Sequence, residues 1–144
     1  MREILLVEDS EADAALILRA VRRLRLANPV RHFTDGLEAM AHLTRCHKTN
    51  ATDSAPPAVL LLDLKLPGMS GFEILERIGQ RPALNGMLRI VLSQIDDTRS
   101  MKRAYDLGAH SYLVKPPRQD DFYEVIEAFP GYWSFVHRSF AVPA

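Results

Sequence analysis

The chain has 144 residues, 47% of them hydrophobic, which is enough for one globular domain with a buried core. Eighteen basic and eighteen acidic residues give a formal net charge of zero, so the basic excess typical of a nucleic-acid-binding surface is absent. We therefore expect no binding to nucleic acid. The single cysteine excludes an internal disulfide, which suits the cytoplasm. No apolar run approaches the ~20 residues that cross a bilayer, so we expect no membrane association.

Short apolar runs alternate with amphipathic ones in the first third of the chain. Residues 3–7 predict a strand buried on both faces, because the run is apolar without alternation. An amphipathic helix follows, with apolar residues recurring at three and four positions and Ser10 as the predicted N-cap. A more polar strand at 30–34, expected at a sheet edge, leads through Asp35-Gly36 into a short second helix.

The same alternation continues after a polar, proline-ended loop at 47–57. Ser70 and Glu73 have the spacing of a capping box and open a third helix. A fourth helix is expected to end at Gly108. Three more strands are predicted, at 58–62, 89–92 and 111–114.

Two helices of the second half have predicted inward faces. The inward residues of the fourth helix are expected to be Met101, Ala104 and Tyr105. The inward residues of a fifth helix, which Pro130-Gly131 would end, are expected to be Phe122, Val125, Ile126 and Phe129.

Five strands alternating with five helices predict an α/β fold, a doubly wound three-layer sandwich with right-handed crossovers. We expect a parallel five-stranded sheet of order 2-1-3-4-5. The switch point of the topology then lies between the first and third strands, which places Asp9 beside Asp63.

Polar side chains follow four of the predicted strands at their C-terminal ends. Glu8 and Asp9 follow the first strand, Asp63 the third, Ser93 the fourth and Lys115 the fifth. The C-terminal ends of parallel strands in such a sheet converge on one crevice, where ligands bind. The sequence therefore predicts an acidic pocket with one lysine and one hydroxyl, suited to a hard cation and a phosphoryl group.

In order and spacing, this pattern resembles the receiver domain of two-component response regulators. The resemblance covers about residues 1–129 and implies a flavodoxin-like fold. It also implies a signalling domain that assists its own phosphorylation and dephosphorylation, rather than an enzyme acting on a separate substrate. The matching features are Glu8-Asp9, Asp63 ahead of the stretch 65–71, Ser93, Tyr112 and Lys115-Pro116.

The resemblance assigns a role to each of these residues. Asp63 would accept a phosphoryl group from the phosphohistidine of a sensor histidine kinase, and Lys115 would neutralise phosphoryl oxygens. Ser93 would donate a hydrogen bond to a phosphoryl oxygen and shift toward it. That shift would be coupled to inward rotation of Tyr112, which makes the pair a conformational switch. A cis peptide bond between Lys115 and Pro116 is also implied.

Magnesium is the implied cofactor. Mg²⁺ prefers near-octahedral oxygen ligation and keeps several of its waters. Asp9 and Asp63 can ligate directly, Glu8 through a water, and Lys65 through its backbone carbonyl. Glu8 replaces the aspartate more usual in the family, and Ser93 replaces the commoner threonine. Both substitutions keep the functional group.

Three other functions compete with this interpretation. A phosphatase of the haloacid-dehalogenase type needs a second aspartate two residues after the first, where this chain has Lys65. A flavodoxin-like electron carrier needs a hydroxyl-rich loop after the first strand, where Glu8-Asp9 would repel the FMN phosphate. A pseudo-receiver that binds a partner without phosphorylation stays as the alternative, and labelling by acetyl phosphate with Mg²⁺ separates it from the main interpretation.

Features outside the pocket suggest the partner and the assembly. The long loop, the Leu-Leu-Val-Glu-Asp-Ser start and the aromatic tail resemble single-domain regulators paired with phytochrome histidine kinases. We expect a receiver domain at 1–129 and a tail at 130–144 without an output domain. Clustered aromatics in the tail predict a homodimer through the face made by helix 4, strand 5 and helix 5, extended by the tail. These aromatics are Tyr132, Trp133, Phe135 and Phe140.

Overall fold

A five-stranded parallel sheet forms the centre of the protein in a computed structural model that describes residues 2–25, 27–46 and 55–116. The strand order is 2-1-3-4-5, and every neighbouring pair is parallel, so the predicted sheet is confirmed. The strands are β1 (Ile4–Val7), β2 (Val30–Phe33), β3 (Val59–Leu62), β4 (Leu88–Ser93) and β5 (Ser111–Val114).

Four α-helices lie within the described residues. None of them is long and apolar enough to cross a membrane. The predicted fifth helix and the aromatic tail fall outside the described residues, as does most of the 47–57 loop. The helices are α1 (Glu11–Arg23), α2 (Gly36–Thr44), α3 (Gly71–Gly79) and α4 (Thr98–Asp106), and a short 3-10 turn at Pro82–Leu84 precedes β4.

The sheet separates two apolar clusters, because alternate residues of a strand point to opposite faces. In β1, Leu5 and Val7 face the cluster that α2, α3 and α4 cover, and Ile4 and Leu6 face the cluster that α1 covers. All residues of β1, β3 and β4 are buried. The edge strand β2 is half-buried or exposed, as its polar sequence predicts.

Side-chain caps fix where all four described helices begin, and for α4 the cap is Asp97, whose Oδ1 accepts a hydrogen bond from the Ser100 amide (2.7 Å). Ser10 Oγ accepts a hydrogen bond from the Asp13 amide (3.2 Å), and Ser70 Oγ accepts one from the Glu73 amide (3.2 Å). Both predicted N-caps are therefore confirmed. Asp35 caps α2 in the same way, through the amide of Leu37 (2.7 Å). Each cap satisfies an amide that has no partner within its helix.

Two expectations about the second half are wrong. Tyr105 is 48% exposed instead of inward, because its hydroxyl lies over the edge strand and accepts a hydrogen bond from the Tyr112 amide (3.0 Å). Of its predicted companions, Ala104 is buried and Met101 is half-buried. The described residues contain no cis peptide bond, so the bond before Pro116 is trans, the form that X-Pro bonds favour by about 0.5–1 kcal/mol.

Candidate functional site

The C-terminal ends of four strands meet at one open cleft of about 260 Å³. Six of the seven predicted site residues line it, and Tyr112 lies beside it. Asp13, Ser10 and Gln94 also line the cleft, and none of the three is among the predicted site residues. The complete lining is Glu8, Asp9, Ser10, Asp13, Asp63, Lys65, Ser93, Gln94 and Lys115.

Asp63 is held in place by backbone contacts on both sides. Its amide donates to Val7 O (3.0 Å), which continues the β1–β3 ladder, and its Oδ1 accepts from the Leu64 amide (2.7 Å). The loop after Asp63 closes when the Gly71 amide donates to Leu64 O (2.9 Å). A Cβ at Gly71 would lie 2.3 Å from Asp63 O, so only glycine allows α3 to begin this close to the acceptor. The Asp63 residue is 7% exposed.

Lys115 is the centre of the charge network in the cleft. Its Nζ lies 2.5 Å from Glu8 Oε1, 3.0 Å from Asp13 Oδ2 and 3.1 Å from Asp63 Oδ2. Burial alone would lower the pKa of Lys115, but its close ion pair with Glu8, its hydrogen bond to Asp13 and the charge of Asp63 raise it above its ordinary value. The lysine is therefore a permanent positive charge beside the acceptor carboxylate.

Glu8 is a buried carboxylate with one poorly satisfied oxygen. Its Oε2 accepts from the Ser10 amide (3.2 Å), but Oε1 forms an ion pair with Lys115 without a well-directed hydrogen bond. Burial raises the pKa of Glu8 to about 7; Lys115 opposes this shift and the charge of Asp63 adds to it. The backbone carbonyl of Glu8 lies 2.8 Å from His32 Nε2, which must donate because a carbonyl can only accept.

The acidic residues of the cleft fit a hard divalent cation. One carboxylate oxygen from each of Glu8, Asp9 and Asp63 lies within 4.8 Å of the other two. The three carboxylates are therefore close enough to share one metal ion. Glu8 Oε1, the poorly satisfied oxygen, can also contact such an ion or a water bound to it. Four carboxylates line the cleft against two ammonium groups, and oxygen-only donors suit Mg²⁺ with retained waters.

Ser93 and Tyr112 are connected through the backbone of a single residue. Ser93 is 1% exposed at the end of β4, and its Oγ accepts from the Ile95 amide (3.2 Å). The Tyr112 hydroxyl donates to Ile95 O (2.7 Å) from the neighbouring strand β5. Burial raises the pKa of Tyr112, so this hydroxyl stays protonated and can donate. The two predicted switch residues therefore hold the same peptide segment from opposite sides.

The signal that the sequence carries for Asp13 indicates a helix end and not a site residue. Asp13 is the third residue of a helix capped by Ser10, a position where the positive end of the helix dipole favours a carboxylate. A helix that starts directly after β1 also places its first turn over the crevice, where Asp13 contacts Lys115. No comparable pattern in the sequence indicates Gln94.

A doubly wound parallel sheet with an acidic cleft and a buried lysine at its strand ends defines a receiver-type signalling domain. Residues 4–127 match the family model described as the response regulator receiver domain, and the chain belongs to that family. It is thus a domain of two-component signalling.

Similar proteins of the family cover nearly the whole chain. Over 136 residues the chain is 35% identical to the probable methanogenesis regulatory protein FilR2 of Methanothrix harundinacea, a match that covers 94% of this chain and 86% of that one. Over 130 residues it is 32% identical to the response regulator Rcp1 of Synechocystis sp., with 90% and 87% covered.

Solved structures give the same result. The Mn(2+)-bound form of Rcp1 superposes with a TM-score of 0.82 at 30% identity, covering 100% of both chains. The phosphorylated cyanobacterial phytochrome response regulator RcpA superposes with a TM-score of 0.80 at 29% identity, covering 99% of both chains. One similar protein thus holds a divalent metal and another a phosphoryl group.

Proposed function

We propose that this protein accepts a phosphoryl group from a histidine of a sensor kinase onto Asp63, in a Mg²⁺-dependent reaction. The observation that carries the proposal is the contact of Lys115 Nζ with Asp63 Oδ2 at 3.1 Å, inside a cleft with a three-carboxylate cluster. A carboxylate fixed beside a permanent cation can act as a nucleophile toward a phosphoryl group whose charge that cation offsets.

The residues divide the work of an in-line transfer. A carboxylate oxygen of Asp63 forms the new bond to phosphorus as the bond from phosphorus to the kinase imidazole breaks, and the imidazole nitrogen keeps the electron pair. Lys115 donates to a phosphoryl oxygen, and the Ser93 hydroxyl donates to another. Mg²⁺, when held by Glu8, Asp9, Asp63 and the Lys65 carbonyl, supplies positive charge against the carboxylates and the phosphoryl oxygens.

The signal would leave the site through Ile95. When Ser93 Oγ moves to a phosphoryl oxygen, it gives up the bond from the Ile95 amide and releases that segment. The same segment holds the Tyr112 hydroxyl through Ile95 O, so its displacement frees the Tyr112 ring to rotate. A local change of charge is thus converted into a change of surface on the β5 side of the domain.

Partner and location complete the proposal. A phytochrome-type histidine kinase is the candidate phosphoryl donor, supported by the similarity to RcpA, which is a phytochrome response regulator by name. The function would be exercised in the cytoplasm by a receiver domain at 1–129, followed by the segment 130–144.

Homodimerisation is proposed through the face of α4, β5 and the predicted fifth helix, together with the tail. The exposed Tyr105 ring lies on the described part of this face. Truncation after Phe129 should shift the protein toward monomer in sedimentation. A full-length protein that stays monomeric at tens of micromolar, with and without a phosphoryl mimic, would remove the dimer from the proposal.

Radiolabelled acetyl phosphate tests the central proposal and the pseudo-receiver alternative together. Full-length protein with Mg²⁺ should take up label, and EDTA should prevent this. Asp63→Asn should take up none, whereas Asp106→Asn, which removes an exposed carboxylate on α4, should label like the wild type. Equal labelling of Asp63→Asn and wild type would refute the acceptor, and no labelling of the wild type would favour a pseudo-receiver.

A further inference from the structure

Asp13 contacts the ammonium group that the proposed phosphoryl transfer requires. Its Oδ2 lies 3.0 Å from Lys115 Nζ, no farther than Asp63 Oδ2 at 3.1 Å. The contact joins residues 102 positions apart, and the Lys115 side chain is 4% exposed. Asp13 therefore belongs to the electrostatic network of the cleft and not only to the N-terminus of α1.

The number of donors on Lys115 makes Asp13 a competitor. An ammonium group has three N–H donors, and Lys115 has three carboxylates within 3.1 Å, those of Glu8, Asp13 and Asp63. A phosphoryl oxygen on Asp63 can receive a donor from this lysine only if one of these contacts is lost. The negative charge of the phosphoryl group would also be repelled by any carboxylate that stays close to Lys115.

Asp13 is the partner that can be lost at the lowest cost. Its side chain is 19% exposed, against 1% for Glu8, so water can replace the lysine at Asp13 more readily. It also lies in the first turn of α1, where the positive end of the helix dipole stabilises a carboxylate. Asp63 keeps its place beside Lys115 because the phosphoryl group would be attached to it.

We propose that Asp13 is a positioning residue that holds Lys115 in the unphosphorylated protein and competes with the phosphoryl group for it. This inference rests on the proposed phosphorylation of Asp63. Asp13 thereby lowers the affinity of the site for a phosphoryl group and sets the fraction of protein that is phosphorylated at a given donor concentration. It also opposes the movement of Lys115 that phosphorylation requires.

Equilibrium binding of beryllofluoride, a phosphoryl analogue, tests the inference on the full-length chain. Binding is followed by ¹⁹F NMR at a Mg²⁺ concentration verified to saturate each variant. Asp13→Asn should lower the dissociation constant about tenfold, the low end of the range for a charge-assisted hydrogen bond, because Asp13 is partly hydrated. Asp13→Glu keeps the carboxylate and should bind like the wild type.

Glu11→Gln is the matched control, because it removes the same charge from the exposed side of the same helical turn. Its affinity should stay at the wild-type value. Unchanged or weaker binding by Asp13→Asn would overturn the inference, and so would an equal gain in Glu11→Gln, which would assign the effect to general charge. A wild type that binds no beryllofluoride would refute the proposed function itself, whereas failure of Asp13→Asn alone refutes only the role of Asp13.

Discussion

Replacing Lys115 by methionine should destabilise the metal-free protein more than any comparable change of a surface lysine. Methionine keeps the length of the side chain but removes the ammonium group that contacts three carboxylates at 2.5, 3.0 and 3.1 Å. At an effective dielectric constant of about 20, each contact contributes about 5–7 kcal/mol of gross attraction. The desolvation of Lys115 and Glu8 offsets most of that sum, because both side chains are nearly buried.

Lys115→Met should lower the free energy of unfolding by about 3 kcal/mol. This is the low end of the range for removing one partner from a buried ion pair, because Asp13 and the cleft are partly exposed to water. Urea unfolding in EDTA, followed by circular dichroism at pH 7.5, measures it as a lower midpoint at an unchanged slope. Lys102→Met is the matched control. Lys102 Nζ pairs with Asp106 Oδ2 at 2.8 Å, but the two side chains are 74% and 63% exposed, so its loss should change the midpoint little.

Magnesium adds a second measurement to the same variant. A divalent ion among Glu8, Asp9 and Asp63 would replace part of the missing positive charge, so Mg²⁺ should stabilise Lys115→Met more than the wild type. The reasoning is refuted if Lys115→Met loses no more stability than Lys102→Met. Equal stabilisation of wild type and variant by Mg²⁺ would refute the charge-replacement argument alone.

Three further substitutions test individual contacts. Tyr105→Phe removes the hydroxyl that accepts the Tyr112 amide and should cost about 0.5–1 kcal/mol in urea unfolding; an unchanged midpoint would mean that water satisfies the amide equally well. Gly71→Ala should cost about 1–3 kcal/mol of stability and slow labelling of Asp63, because the new Cβ would meet Asp63 O. The control Gly79→Ala has open space around its Cβ and should be neutral or stabilising. Equal effects of the two substitutions would contradict the steric argument. Burial lowers the pKa of His110 below its ordinary value of about 6.5. The stability that neutral His110 contributes above that pH is therefore lost as the pH falls through its folded pKa. His110→Gln should reduce the fall in unfolding free energy between about pH 7 and pH 5, and a variant whose stability falls as steeply as that of the wild type would exclude His110 as the cause.

The sheet could be predicted because its strands carry strong, local signals. Continuous apolar runs at 4–7 and 59–62 indicate strands buried on both faces, and the handedness of crossovers then restricts the order of the sheet. Residues that follow the strands can be placed equally well, because the C-terminal ends of parallel strands lie at the same edge of the sheet. Asp63 and Lys115, 52 residues apart, could be placed together for that reason alone.

The exposed position of Tyr105 could not be predicted in the same way, because it depends on a contact with another element that the spacing of apolar residues does not show. An aromatic ring at a helical spacing that suits the core is usually inward. Here the strand beside α4 is the sheet edge, and the Tyr112 amide on that edge needs an acceptor. The hydroxyl of Tyr105 supplies one while its ring stays largely at the surface, and the spacing of apolar residues along α4 does not encode this contact with a neighbouring strand.

Asp13 shows the complementary limit, because two correct physical roles belong to one side chain. The sequence indicates a carboxylate suited to a helix N-terminus, and the structure keeps that role, since Asp13 remains in the first turn of α1. The contact with Lys115 arises because α1 starts directly after β1, so its first turn overhangs the strand ends. In a doubly wound fold, an acidic residue in the turn after a strand should therefore be examined as part of the crevice as well as of the helix. For this protein that rule joins the helix dipole at the start of α1 to the chemistry of Lys115: a carboxylate already stabilised by a helix can release a cation at a lower cost than one that depends on the cation alone.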